Sequence, residues 1–189
     1  MLPMAQLKQM AKEQIRGNIG KIFICLLLAG LLVAVSAITI VGPIILMPVI
    51  IISVVRIFLK LTEGVTPAPK DIFTGFDVTG KAILLYLLVG LFTMLWMFLL
   101  IVPGIIKAIS YSMSYFILAE NPEMTAREAL NESKRITKGH IGEIFVLGLS
   151  FILWAMLGNI TFGLAYIYVG PYMYATFTNY YKELRASAG

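Results

Sequence analysis

The chain has 189 residues, 59% of them hydrophobic and only 13% charged, with a mean hydropathy of +0.89. Soluble domains carry about 25% charged residues, so this composition excludes a soluble globular fold and points to a polytopic membrane protein. The net charge of +5 arises from fifteen Lys and Arg against ten Asp and Glu; these cations are scattered at the ends of apolar runs, which fits the face of an anionic membrane and not nucleic acid.

Residues 1–21 read as an amphipathic surface helix, with Met4, Leu7, Ala11 and Ile15 on one face and Lys8, Lys12 and Arg16 beside them. The first uncharged run, 22–41, is long enough to span a bilayer. A signal peptide cleaved after Val35-Ser36-Ala37 is the rival reading, but the apolar character continues through Ile52. Gly30 and Ala34 form a small-xxx-small pair that would let another helix approach. The single cysteine, Cys25, excludes an intrachain disulfide and a thiolate metal cluster.

Gly42-Pro43 breaks the run, and 44–59 returns across the membrane with Arg56 about one turn from its end, where its stem can snorkel to the headgroups. The loop 60–81 contains an extended Thr66-Pro67-Ala68-Pro69 stretch. The run 82–102 carries no charge and extends roughly 31 Å as a helix, about the thickness of the hydrocarbon layer. Pro103-Gly104 interrupts it, and 105–119 holds one cation, Lys107. The segment 120–143 is rich in charge. Inside it Thr125 and Glu128 match a capping box, with Lys134, Arg135 and Lys138 toward the C-terminal end of a short amphipathic helix, as the helix dipole favours. The uncharged stretch 144–181 would be roughly 57 Å long as one helix, so it divides in two, with Gly158-Asn159 as the expected turn.

The expected architecture is therefore an all-α membrane helical bundle, a single integral membrane domain over 1–189. It has about six transmembrane helices (22–41, 44–59, 82–102, 105–119, 144–157 and 160–181) in three tight hairpins, plus short amphipathic cytoplasmic helices. Every basic residue but Lys107 falls on the side of the termini, and the positive-inside rule makes that side cytoplasmic. The runs 44–59 and 105–119 are short, and if they are re-entrant or interfacial the count falls to four.

Several stretches carry a resemblance: Asp71-Ile72-Phe73-Thr74-Gly75-Phe76; Leu95-Trp96 leading into Ile101-Val102-Pro103-Gly104-Ile105-Ile106-Lys107-Ala108; Tyr111-Ser112-Met113; and Ile117-Leu118-Ala119-Glu120-Asn121-Pro122. Glu128-Ala129, Ser133-Lys134, Lys138-Gly139-His140, Leu149-Ser150-Phe151 with Trp154, Pro171-Tyr172 and Tyr180-Tyr181 extend it, as do Ala11-Lys12 and Gly17-Asn18 at the front. Together they resemble the domain-of-unknown-function 975 family of bacterial integral membrane proteins. More distantly they are similar to the membrane domain of some glycerophosphoryl diester phosphodiesterases, whose catalytic domain has no counterpart here. The resemblance implies a topology and no activity.

Lys107, Ser110, Tyr111, Ser114 and Tyr115 fall at helical spacing and form a polar stripe on the fourth span. A charge at the bilayer centre costs about 2.5 to 3.5 kcal/mol on insertion scales, so Lys107 needs a cavity, a partner or a short reach to the headgroups. One reading is a site for an anionic lipid or solute, walled by Tyr111 and by Tyr172 from the last span. The other is a snorkelling lysine whose serines pack against neighbouring helices. Tyr166, Tyr168, Tyr180 and Tyr181, with Trp96 and Trp154, read as an interfacial belt. His140 and Glu143 are too few ligands for a metal site. No acid–base pair, phosphate loop or dinucleotide fingerprint appears, so the expectation is a non-enzyme without cofactor or metal. Its partners would be membrane lipids, anionic ones among them, and a partner membrane protein or a second copy. The contact surface would be the cytoplasmic helices with Lys134, Arg135 and Lys138. The alternative is a small transporter or channel for an anionic or amphipathic solute, using the stripe on the fourth span.

Overall fold

The computed structural model describes residues 2–39, 41–161 and 163–188, and it is all-helical over them. Ile40, inside the expected span 22–41, and Phe162, inside 160–181, lie outside the described residues. The order is α1 (Met4–Ile15), α2 (Ile19–Ser36), α3 (Val41–Thr62), a 3-10 helix (Pro69–Val78), α4 (Thr79–Leu99), α5 (Ile101–Tyr111), α6 (Ser114–Glu120), α7 (Ala126–Thr137), α8 (Ile141–Leu149), α9 (Ile152–Ile160) and α10 (Tyr166–Ala188). Five helical stretches have the length and composition to cross a membrane: Ile19–Ser36, Val41–Thr62, Pro69–Phe98, Ile101–Glu120 and Ile141–Ile160. The expected sixth span corresponds to α10, whose tyrosines, Thr176, Thr178 and Asn179 make it less apolar.

Three boundaries differ from expectation, each for a local reason. The second hairpin turns at Leu100, in extended conformation, and Pro103 sits inside the first turn of α5, where its missing N–H costs nothing. Pro43 likewise falls in the first turn of α3. The third hairpin turns after Thr161, where Gly163 takes φ 91°, so Gly158 and Asn159 remain helical in α9. Thr125 and Glu128 form the expected capping box: the Glu128 N–H donates to Thr125 Oγ1 at 3.2 Å, and the Thr125 N–H donates to Glu128 Oε2 at 2.7 Å. The Thr125 N–H and hydroxyl, both donating to Glu128 Oε2, hold the Glu128 carboxyl below its ordinary pKa. Thr125→Ala is expected to cost about 1 kcal/mol of α7 stability, read as a lower melting temperature, with Thr125→Ser close to wild type.

The hairpins are built alike. Arg16-Gly17-Asn18-Ile19-Gly20-Lys21-Ile22-Phe23-Ile24 before α2 corresponds to Lys138-Gly139-His140-Ile141-Gly142-Glu143-Ile144-Phe145-Val146 before α8. The backbone repeats as well: α1 and α7 have 12 residues each, Gly17 and Gly139 take φ 83° and 91°, and Asn18 and His140 take φ −111° and −113°. A side chain at either glycine would be strained, which accounts for the residue type. Gly80-Lys81-Ala82-Ile83-Leu84 opens α4 in the same way. Each opening helix then buries residues at one register: Ile22 and Cys25 in α2, Ala82 and Leu85 in α4, Ile144 and Leu147 in α8.

The element preceding each hairpin packs on the hairpin before it. The 3-10 helix lies on α3, α7 lies on α4 to α6, and α1 closes the ring by lying on α10. The apolar face of α1 (Leu7, Ala11, Ile15) is fully buried there, so the face expected to meet the membrane surface is covered by the chain's own last helix. The core collects the second half of α3, α6, the inner face of α7 and the second half of α10, all at the charged end of the bundle. The distal halves of α2, α4 and α9 leave large apolar side chains exposed, such as Leu31, Phe98 and Leu153. Such a surface suits hydrocarbon.

Candidate functional site

Ion pairs and buried hydrogen bonds tie the charged end together. Lys60 pairs with Asp71 at 2.8 Å, Arg185 with Glu120, and Lys182 with Glu63 at 3.3 Å. Arg56 does not snorkel. Its Nε donates to the Ala119 carbonyl at 3.0 Å, and its Nη1 contacts the Thr74 carbonyl and Asp77, so it joins α3, α6 and the 3-10 helix. Tyr180 and Tyr181 are buried and donate to Glu143 (2.9 Å) and Glu120 (2.7 Å), which removes them from the expected aromatic belt. Tyr166 and Tyr168 are exposed, as a belt requires. His140 Nδ1 lies 3.4 Å from Glu143 Oε1.

The polar stripe of the fourth span divides between two environments. The helix breaks at Ser112-Met113, which frees the carbonyl of Ser110 from the helical ladder. Ser133 Oγ (2.7 Å) and Thr137 Oγ1 (3.4 Å) of α7 donate to that carbonyl. Ser110 and Ser114 are buried in protein, and Ser114 Oγ donates to the Tyr111 carbonyl. The Ser110 backbone carbonyl thus ties the fourth span to α7, while the Ser114 hydroxyl is satisfied within its own span. Tyr115 is half-buried.

Lys107 and Tyr111 face α4. The Lys107 ammonium lies 5.0 Å from the centroid of Trp96, and the Tyr111 ring packs against Phe92 at 6.3 Å. Lys134 arrives at the same place from α7, with Nζ 5.5 Å from the Tyr111 ring and 5.9 Å from Phe92. An ammonium over a ring face gains about 0.5 to 2 kcal/mol, depending on desolvation. Among the described residues no carboxylate lies within ion-pair distance of either lysine, and the one polar partner of Lys134 is the neutral Asn131 Oδ1 at 3.1 Å. Burial, then the neighbouring Lys107 and Arg127, hold the Lys134 amine below its ordinary pKa. An apolar groove of about 590 Å³ opens along a different face of α4, lined by Val89, Thr93, Met97 and Ala108 among others and by none of the cluster's residues. The Thr93 hydroxyl has no hydrogen-bond partner among the described residues.

The remaining candidate residues go elsewhere. Arg135 pairs with Glu132 at 2.8 Å and donates to the Ala188 carbonyl, while Lys138 is exposed. Lys134, Arg135 and Lys138 thus have different surroundings: aromatic rings, Glu132 with the C-terminal end of α10, and solvent. Tyr172 does not join the stripe on the fourth span: it packs between Phe151, Trp154 and Tyr168 of the third hairpin, under Lys12. Asn179 of the same helix donates to Gln14 of α1 at 2.9 Å. What sequence spacing missed was Phe92, Trp96 and Lys134 around Lys107. The signal was present in the spacing of Phe92 with Trp96 and of Lys107 with Tyr111, one helical turn in each case, on two arms of one hairpin.

Residues 99–188 match the family described as Protein of unknown function (DUF975). The DUF975 match covers the second arm of the middle hairpin, α7 and the whole third hairpin, and so contains Lys107, Tyr111, Lys134 and Tyr172. It does not reach residues 1–98, which hold the Ala11-Lys12, Gly17-Asn18, Asp71-Ile72-Phe73-Thr74-Gly75-Phe76 and Leu95-Trp96 parts of the resemblance. The match carries no information on the phosphodiesterase membrane domain. No curated protein and no solved structure matches the chain.

Proposed function

We propose that this is a non-enzymatic integral membrane protein of the bacterial cytoplasmic membrane, with both termini inside, that acts by binding anionic membrane lipid. The observation that carries this reading is the contrast between two sets of cations. Arg56, Lys60 and Arg185 are each matched by a carboxylate, whereas Lys107 and Lys134 are held over aromatic rings with no counter-ion among the described residues. A phospholipid supplies the missing anion, a phosphate for the ammonium groups, while its chains lie against the exposed apolar surface of the helices. The cytoplasmic placement rests on the positive-inside distribution of the basic residues. Lys107→Met in nanodiscs containing phosphatidylglycerol is expected to weaken anionic-lipid retention three- to tenfold, with neutral-lipid retention unchanged. Equal retention of anionic lipid by variant and wild type refutes the reading.

A second reading, a small transporter for an anionic or amphipathic solute, draws support from the breaks in two apolar helices at Ser112-Met113 and Ser150-Phe151. Discontinuous helices commonly line substrate sites in transporters. Anion uptake into proteoliposomes that falls in Lys107→Met would favour it; absence of uptake by the wild type would dismiss it.

A further inference from the structure

The chain contains two tryptophans, and each stands in the same kind of setting. In the second hairpin, Trp96 and Phe92 on α4 meet Lys107 and Tyr111 on α5, and Lys134 reaches in from α7. In the third, Phe151 at the α8–α9 break and Trp154 on α9 pack on Tyr172 of α10, with centroids 5.3 and 6.0 Å away. Lys8 and Lys12 reach in from α1, 5.1 Å from the Phe151 centroid and 5.6 Å from that of Tyr172. One lysine of each pair follows the internal repeat: Lys12 and Lys134 hold the same position in α1 and α7, five residues before the left-handed glycines Gly17 and Gly139, whereas Leu130 stands in α7 where α1 has Lys8, and Lys107 comes from the hairpin itself.

We infer that these are two repeat-related sites for the phosphate of an anionic phospholipid, each built from two lysines on a wall of Tyr, Phe and Trp. This rests on the lipid-binding reading and adds to it a second location and a stoichiometry of two. Three observations carry it. First, each site brings two ammonium groups together without a carboxylate within ion-pair distance among the described residues, the polar partners being neutral: Ser150 Oγ for Lys8 at 2.7 Å and Asn131 for Lys134. The crowding registers at both sites in the same way, since burial and then Lys12 lower the pKa of Lys8, as burial and then Lys107 lower that of Lys134. Charge held against its own repulsion calls for an anion, and a phosphodiester offers two free oxygens to two donors. Second, Trp and Tyr have an apolar body and a polar tip, the combination found at headgroup depth. Third, both sites lie on hairpins whose distal surfaces are apolar and exposed, where an acyl chain can run beside the helix. The remaining hairpin has no such site: the element that packs on it is the 3-10 helix, seated by Gly75 directly against the α3 backbone and presenting buried Ile72.

Native mass spectrometry of the full chain released from nanodiscs of mixed phosphatidylglycerol and phosphatidylcholine tests this. The wild type is expected to retain two phosphatidylglycerol molecules, Lys107→Met/Lys134→Met one, Lys8→Met/Lys12→Met one, and the quadruple variant none. The four-arginine counterpart should keep both. Each site holds one tryptophan, so Trp96→Phe leaves Trp154 reporting on the α1 site and Trp154→Phe leaves Trp96 reporting on the α7 site. Anionic lipid should shift each emission in turn, and the shift should vanish only with the lysine pair of its own site. In detergent without lipid, Lys134→Met should melt at or above the wild-type temperature, because it relieves repulsion; a marked drop would make the lysine a structural residue and overturn the inference. Two lipids still bound to the quadruple variant would overturn the two sites while leaving the lipid-binding reading intact. No lipid retained by the wild type would remove both. Emission shifts produced by millimolar inorganic phosphate but not by phosphatidylglycerol would overturn the lipid assignment in favour of a soluble phosphate.

Discussion

Gly75→Ala is expected to lower stability by about 3 to 5 kcal/mol. Gly75 is buried where the 3-10 helix crosses α3, and its N–H donates to Ser53 Oγ at 2.9 Å. A Cβ at this position would lie 2.3 Å from the Val49 carbonyl oxygen and 2.7 Å from Ser53 Oγ. The first of these is backbone, so no rotamer change relieves the clash. The 3-10 helix would have to lift from α3, and in lifting it would strain the Lys60–Asp71 and Arg56–Asp77 pairs. Overpacking costs about 1 to 3 kcal/mol and an unmade buried hydrogen bond about 1 to 3 more, a large share of the 5 to 15 kcal/mol that typically holds a domain. Thermal unfolding followed by size-exclusion in detergent should show a fall of roughly 6 to 20 °C. The control is Gly80→Ala, at the start of α4 with nothing within 4 Å of the added carbon, which should match or exceed wild type. If Gly75→Ala melts with the wild type, the seating of the 3-10 helix on α3 is wrong.

Phe58→Ala should cost about 3 to 5 kcal/mol by leaving a cavity where α3 meets α10. Phe58 is fully buried, and its ring stacks on Tyr174 with centroids 5.3 Å apart and planes 12° from parallel. The stack is one of the contacts by which the first hairpin holds the last helix, so its loss weakens closure of the ring as well as local packing. Aromatic pairs add about 0.5 to 1.5 kcal/mol beyond burial. Phe58→Leu should therefore recover most but not all of the loss. In a double-mutant cycle with Tyr174→Ala the two losses should be less than additive, by the energy of the stack; full additivity would show that the rings do not meet.

Neither substitution was legible in the sequence. Gly75 looked like an ordinary loop glycine and Phe58 like one more apolar residue of a span, because the partner of each is fixed by a crossing between distant segments. Arg56 shows the same limit. Its position near the end of an apolar run suits snorkelling, and only the 3-10 helix and α6, folded against α3, offer it carbonyls instead. Tyr180 and Tyr181 fit an interfacial belt by position, yet the carboxylates of Glu143 and Glu120 draw them inward.

The sequence by itself determined the features that follow from local physics. Hydrocarbon excludes charge and unpaired backbone groups, so uncharged runs of bilayer length had to be helices broken near Gly and Pro, and the hairpins followed. The capping box of α7 was likewise readable, since Thr125 and Glu128 satisfy each other within one turn. The tertiary structure alone decided which helices became neighbours. Packing α1 on α10 closed three similar hairpins into a ring, and packing α7 on the middle hairpin set Lys134 beside Lys107 and sent Ser133 to the free carbonyl of Ser110. Apolar spans associate by shape and by a few hydrogen bonds, with no difference in hydrophobicity between lipid and partner helix to mark the contact face. Periodicity therefore located the spans, and the fit of their surfaces chose the partners.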